Sequence, residues 1–161
     1  EKTGKMHINW VNCMGCGRCV DVCPMGAIFH SHENAVRMLN NKMAEYAKAV
    51  VDGRPQFHIS LIMDVSPFCD CHPENDVPVL PDIGMLASKD PVALDQACAD
   101  LCCAATPLPN SRLTDNQSAS GFVSLGDPFR DTTPESAWES CLAHAEKIGL
   151  GSRTYELVKM K

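Results

Sequence analysis

The run Cys13-Met14-Gly15-Cys16-Gly17-Arg18-Cys19-Val20-Asp21-Val22-Cys23-Pro24 constrains this chain more than any other segment. Two residues separate the first cysteine from the second and the second from the third. Three separate the third from the fourth, and proline follows at once. This is the bacterial ferredoxin spacing for a [4Fe–4S] cluster. A cubane needs a thiolate on each iron, and a tight loop with two-residue gaps presents three sulfurs to one side of a small cube. Gly15 and Gly17 open backbone angles closed to other residues and leave amides free for cluster sulfides. Pro24 stops helix from continuing. A zinc knuckle and a disulfide loop are the competing readings, and the joint register of cysteines, glycines and proline favours the cluster.

The origin of the fourth ligand stays open. In two-cluster ferredoxins the cysteine before proline ligates the other cluster. Cys13, Cys16 and Cys19 would then hold one cluster and Cys23 would serve a second, whose own cysteine run is not in this chain and is expected upstream of Glu1. Alternatively Cys23, or a distant cysteine, completes a single cluster.

Around this run the composition is that of an ordinary folded protein. Of 161 residues, 45% are hydrophobic and 21% charged, which suits one domain with a small appendage rather than disorder. The formal net charge is −6 and no Lys/Arg-rich run occurs, which argues against nucleic acid or an anionic membrane surface as partner. No apolar stretch approaches the ~20 residues that cross a bilayer, and no signal-peptide pattern is present. Ten cysteines could suit a secreted disulfide scaffold, but the ferredoxin spacing places them in a reducing compartment, the cytoplasm of an anaerobe.

Residues 1–32 read as a ferredoxin-type segment, the second of a pair. Short strands over 7–10 and 27–30 would flank one helical turn across 18–23. Residues 33–161 read as an α/β region. Val36, Leu39, Met43, Tyr46 and Val50 recur at helical steps and predict a helix over 33–51 with one apolar face, ended by Asp52-Gly53. Strands are expected over 57–65 and 82–87, with an irregular proline-rich stretch between them. Asp90-Pro91 predicts a helix start, aspartate as cap and proline at the first position. Residues 106–131 read as a long functional or ordering loop, 135–148 as a last helix, and 155–158 as an edge strand. The expected fold class is α+β, with an α/β layer packed beside a ferredoxin-like half-unit.

A second polar constellation is Cys69-Asp70-Cys71-His72, beside Asp64, Glu74 and Asp76 in sequence. Cys69 and Cys71 form a candidate second metal or redox site, although zinc sites usually space their cysteines by two to four residues. The competing reading packs both thiols into a turn. Cys98, Cys102, Cys103 and Cys141 read as core packing, since buried cysteine behaves as a small hydrophobe. His7, His30, His32, His58 and His144 occur singly and carry no assigned role. Asp90 reads as a cap and Asp95 as part of a solvated helix face.

Three further segments carry a family resemblance. Asp64-Val65-Ser66-Pro67-Phe68-Cys69-Asp70-Cys71 leads to Pro81-Asp82-Ile83-Gly84-Met85-Leu86-Ala87-Ser88-Lys89-Asp90-Pro91-Val92-Ala93-Leu94-Asp95-Gln96-Ala97, and Ile148-Gly149-Leu150-Gly151-Ser152-Arg153-Thr154-Tyr155-Glu156-Leu157 follows near the end. With the cysteine run ahead of them, these resemble the domain of unknown function 362 family, and within it the Fe–S centre proteins with inserted ferredoxin motifs. The resemblance implies a larger N-terminal part and two consecutive cysteine runs, of which this chain matches the second and everything after it. It implies no particular reaction.

Three functions follow as expectations. The first is an electron-transfer module that passes single electrons through a [4Fe–4S] cluster at Cys13, Cys16, Cys19 and Cys23, to a redox partner protein or an upstream domain of the same protein. The second is an oxidoreductase or maturation enzyme with its site at the 69–72 loop and the cluster as its wire. The third gives the metal a purely structural role. Neither a Gly-x-Gly-x-x-Gly run nor a Walker lysine is present to suggest a nucleotide.

Overall fold

The computed structural model describes residues 8, 18–28, 32–69 and 75–160. Among these, eight elements follow in order: α1 (Arg18–Asp21), α2 (His32–Val51), β1 (His58–Ile62), β2 (Gly84–Ser88), α3 (Pro91–Ala104), α4 (Arg112–Ser118), α5 (Pro128–Thr132) and α6 (Trp138–Lys147). The fold is α+β. Of the strands expected over 7–10 and 27–30, most positions lie outside the described residues, and Ile8, Ala27 and Ile28 are in neither strand nor helix.

β1 and β2 pair antiparallel, with Ser60 opposite Leu86 and Leu61 opposite Met85. Side chains alternate between the two faces of a strand. Ile62 and Leu86 join the inner face, where α3 packs and where Val79, Leu80, Cys102 and Leu113 complete the core. A second cluster joins Ala44 of α2, Val92 of α3, and Leu142 and Ala145 of α6. Among the described residues Leu80, Leu113 and Val92 are the largest fully buried apolar side chains, each contributing roughly 1.5–3 kcal/mol by burial.

Asp90 starts α3 as its sequence requires. Its Oδ1 accepts from the amides of Val92 at 2.9 Å and Ala93 at 3.1 Å, and Pro91 fills the first helical position. Gly53, at φ +68°, turns the chain after α2 where other residues would be strained.

Four expectations differ from the structure. The face of α2 read as apolar points outward: Leu39, Met43, Tyr46 and Val50 are all exposed. The helix instead buries Ala44 and Asn40, because small and hydrogen-bonded side chains allow close approach to α6. The stretch 106–131 holds two short helices, each with its own cap. Ser111 and Thr114 form a capping box on α4, and Asp127-Pro128 opens α5 as Asp90-Pro91 opens α3. The last helix begins at Trp138, three residues late, because 133–136 closes as a turn (Ser136 N to Thr133 O, 2.9 Å) and the Trp138 indole is tied to Asp127 Oδ2 at 2.9 Å. Residues 155–158 form no strand; the Tyr155 hydroxyl donates instead to Asp100 Oδ2 at 2.7 Å.

The outer sheet face is also apolar. Phe57, Ile59, Leu61, Met63 and Met85 are all about half exposed or more. A two-stranded sheet with apolar residues on both faces has surface to give to a further layer.

Candidate metal centre

Cys13 and Cys16 lie outside the described residues, whereas Cys19 and Cys23 stand at either end of a single helical turn. Cys19 sits in α1 and is exposed; Cys23 follows the turn and is half-buried. The turn closes through Val22 N to Arg18 O and Cys23 N to Val20 O, both 3.2 Å. The tighter second bond closes the turn after α1 ends at Asp21, and Pro24 keeps the helix from resuming. Gly26 completes the reversal, with φ +58° and its amide on Cys23 O at 3.2 Å.

This reversal turns backbone amides onto the Cys23 sulfur. Hydrogen bonds from Met25 and then Ala27, with smaller ones from Ile28 and Gly26, hold the thiol below its ordinary value against the opposing effect of burial. Amides around a sulfur favour the thiolate, the form that ligates metal. Cys19 and Cys23 are both free thiols. The donor chemistry therefore fits a thiolate-held metal group. Among the described residues no three His, Cys, Asp or Glu side chains converge as a metal-holding group.

Of the second constellation, Asp70, Cys71 and His72 lie outside the described residues, and Cys69 is exposed. The loop that carries Cys69 leaves the end of β1 through Asp64, whose φ of +49° is uncommon for a residue with a side chain. It is closed at its base by Val79 N to Val65 O at 2.8 Å. Asn75 pins it again: its side chain accepts from Phe68 N at 3.3 Å and donates to Phe68 O at 3.2 Å. The Arg112 guanidinium lies 4.4 Å from the centre of the Phe68 ring, a cation–π contact that ties the loop to α4. Sequence reading missed Asn75 and Arg112, since neither carries a local signal of its partner.

Of the remaining cysteines three sit in the packing as expected, but Cys103, next to Cys102 on α3, is exposed, because successive helix side chains diverge. Cys102 is buried, Cys98 and Cys141 are half-buried, and burial pushes all three thiols up. Cys103 is pushed up to about 11, first by desolvation of its sulfur and then by the Asp127 carboxylate. His7 and His30 lie outside the described residues, as does the side chain of His32. His58 meets Gln56 Oε1 at 2.9 Å, and His144 meets Glu45 Oε1 at 3.2 Å, joining α6 to α2. Asp95 is exposed. No described helix is long and apolar enough to cross a membrane.

Comparison with known proteins adds a family. Neither the curated proteins nor the solved structures gave a match. The model of the family described as Domain of unknown function (DUF362) matches residues 6–100, which run from the cysteine segment through the Cys69 loop and both strands into α3. The match covers more than half of the chain, and the protein belongs to the DUF362 family.

Proposed function

We propose that this chain is an electron-transfer module whose four cysteines, Cys13, Cys16, Cys19 and Cys23, hold a [4Fe–4S] cluster. The observation that carries this reading is the ferredoxin spacing, together with the helical turn between Cys19 and Cys23 that ends against Pro24 and Gly26. When bound, such a cluster supplies one-electron redox chemistry. The chain's own residues provide the thiolates, and the amides of Met25 and Ala27 offset negative charge on the Cys23 sulfur. The exposure of Cys19 leaves that side of the site open to an approaching partner. The bare apolar faces of α2 and the sheet suit a partner of some size, either a redox protein or an upstream domain of the same polypeptide. The reducing cytoplasm is the setting in which free thiols of this number persist.

The test is anaerobic preparation followed by iron and acid-labile sulfide analysis, with electron paramagnetic resonance before and after dithionite. A reducible cubane signal that disappears in Cys16→Ser supports the assignment. Full iron and sulfide content in Cys16→Ser would sink it.

A second reading is favoured by the exposed Cys69 on a loop pinned at its base. In it, Cys69-Asp70-Cys71-His72 forms a metal or redox site of an oxidoreductase or maturation enzyme. Metal analysis of Cys69→Ser and Cys71→Ser decides: loss of metal beyond the cubane supports that reading, and unchanged content removes it.

A further inference from the structure

The geometry points to a binding site for a small organic anion, a carboxylate or a phosphate ester, in the hollow bounded by α2, α5, α6 and the C-terminal strap, residues 149–155, that follows α6. This goes beyond electron transfer and needs no cluster.

The hollow has a volume of about 700 Å³, in the range of small-molecule sites and far larger than a bare inorganic ion requires. Three guanidinium groups line it: Arg37 from α2, Arg130 from α5 and Arg153 from the strap after α6. The chain has only 14 Lys and Arg residues against 20 Asp and Glu. Three arginines brought to one hollow from such separate positions therefore run against the overall charge.

Their partners do not account for all three. Arg130 is engaged by two carboxylates, its Nη2 binding Glu139 Oε2 at 2.8 Å. Its Nε is buried without a hydrogen bond and lies 3.7 Å from Asp127 Oδ2. Arg153 is held by Nε to Gln96 Oε1 and by its amide to Glu146 Oε1, both 2.8 Å. Its two terminal nitrogens have no partner among the described residues. Arg37 makes no hydrogen bond or ion pair among them either. Among the described residues Glu135 is an unpaired carboxylate in the lining. Arg37 is thus left without a partner, and Arg153 keeps both terminal nitrogens free of any acceptor among the described residues.

A guanidinium offers a planar fork that matches the paired oxygens of carboxylate or phosphate. Arg153 is already fixed by its bonds, so little freedom is lost when its free nitrogens engage a ligand. Leu125, Pro134 and Ala143 add apolar wall, which favours an anion with a carbon body. Carboxylates and phosphate esters share this oxyanion chemistry.

The experiment uses the full chain, anaerobically prepared, at constant ionic strength made up with sodium chloride. Thermal melting and isothermal titration are measured with citrate in one arm and glycerol 3-phosphate in the other. Saturable binding that raises the melting temperature is expected in at least one arm. Citrate alone assigns a carboxylate, and glycerol 3-phosphate alone assigns a phosphate ester. Arg37→Gln should weaken binding about tenfold or more and leave the ligand-free melting temperature unchanged, because Arg37 has no bond to lose. Arg37→Lys should recover part of the affinity. The site is refuted if neither anion acts beyond the chloride control, or if Arg37→Gln binds as the parent does.

Discussion

Gly151 lies directly against Asp90, so that a Cβ at position 151 would overlap the Asp90 carboxylate. Asp90 is thus shared between two tasks. Its Oδ1 caps α3, and its Oδ2 accepts from the Ser152 amide at 2.8 Å, anchoring the C-terminal strap to the helix start.

The first prediction follows from that contact. Gly151→Ala should destabilise the protein by roughly 1–3 kcal/mol, because backbone or cap must shift to admit the methyl group. Asp90→Ala should cost about 1–2 kcal/mol through the lost cap. The double variant should cost clearly less than the sum, since removing the carboxylate makes room for the methyl group. Urea unfolding of the four proteins measures this; simple additivity would show that the contact is not what constrains position 151.

The Asp90 cap was legible from sequence because Asp-Pro stood before a long helical pattern. The same pair at Asp127-Pro128 opens α5 but went unread, since five residues are too few to show a period. Periodicity found α2 and its length but misassigned its buried side. Pattern shows that Leu39, Met43, Tyr46 and Val50 share a face, not whether the rest of the described chain covers it. The helical turn that carries Cys19 was legible because the stop at Pro24 is local. The pinning of the Cys69 loop by Asn75, and the gathering of Arg37, Arg130 and Arg153, arise only from tertiary folding.

A second prediction concerns Asn40, a polar residue 7% exposed at the α2–α6 contact. Its Nδ2 donates to Ala137 O at 2.7 Å and to Ser140 Oγ at 2.9 Å. α6 has no side-chain cap of its own, so this amide fixes where the helix begins. Asn40→Ala should lower stability by about 1–3 kcal/mol. Asn40→Asp should be worse than Asn40→Ala at neutral pH, because a carboxylate cannot donate to the Ala137 carbonyl. Equal stability of Asn40→Ala and the parent would remove Asn40 from the interface energetics.

A third prediction is the acid response of Asp131, only 2% exposed. Burial pushes its carboxyl up, but hydrogen bonds from the Ser124 hydroxyl, the Leu125 amide and the Gln117 side chain outweigh it, and the net shift is downward. A carboxyl lower in the folded than in the unfolded state stabilises fully above its unfolded value. That contribution is lost as pH falls through the lower folded value. Stability should therefore decline below about pH 4, and Asp131→Asn should remove this part of the decline while lowering stability at pH 7. An unchanged acid profile in Asp131→Asn, measured by urea unfolding at each pH, would place the acid sensitivity elsewhere.

The last prediction tests thiol chemistry at Cys103. Desolvation, then Asp127, and then Cys102, Asp100 and Glu139 push this thiol up to about 11. Alkylation requires thiolate, and at pH 8 an ordinary thiol near 8.5 is roughly one-quarter ionised, whereas one at 11 is about one-thousandth ionised. Cys103 should therefore label slowly with iodoacetamide at pH 8 despite its partly open surface. Its rate should climb about tenfold per pH unit up to pH 10, without the levelling that an ordinary thiol shows near pH 9. Cys102, at 5% exposure, should stay unlabelled across the same range unless the protein opens. Cys98, Cys102 and Cys103 share one tryptic peptide, residues 90–112, so fragment-ion mass spectrometry assigns the label among them. A Cys103 rate that saturates near pH 9 would show that neither desolvation nor the neighbouring carboxylates hold this thiol up.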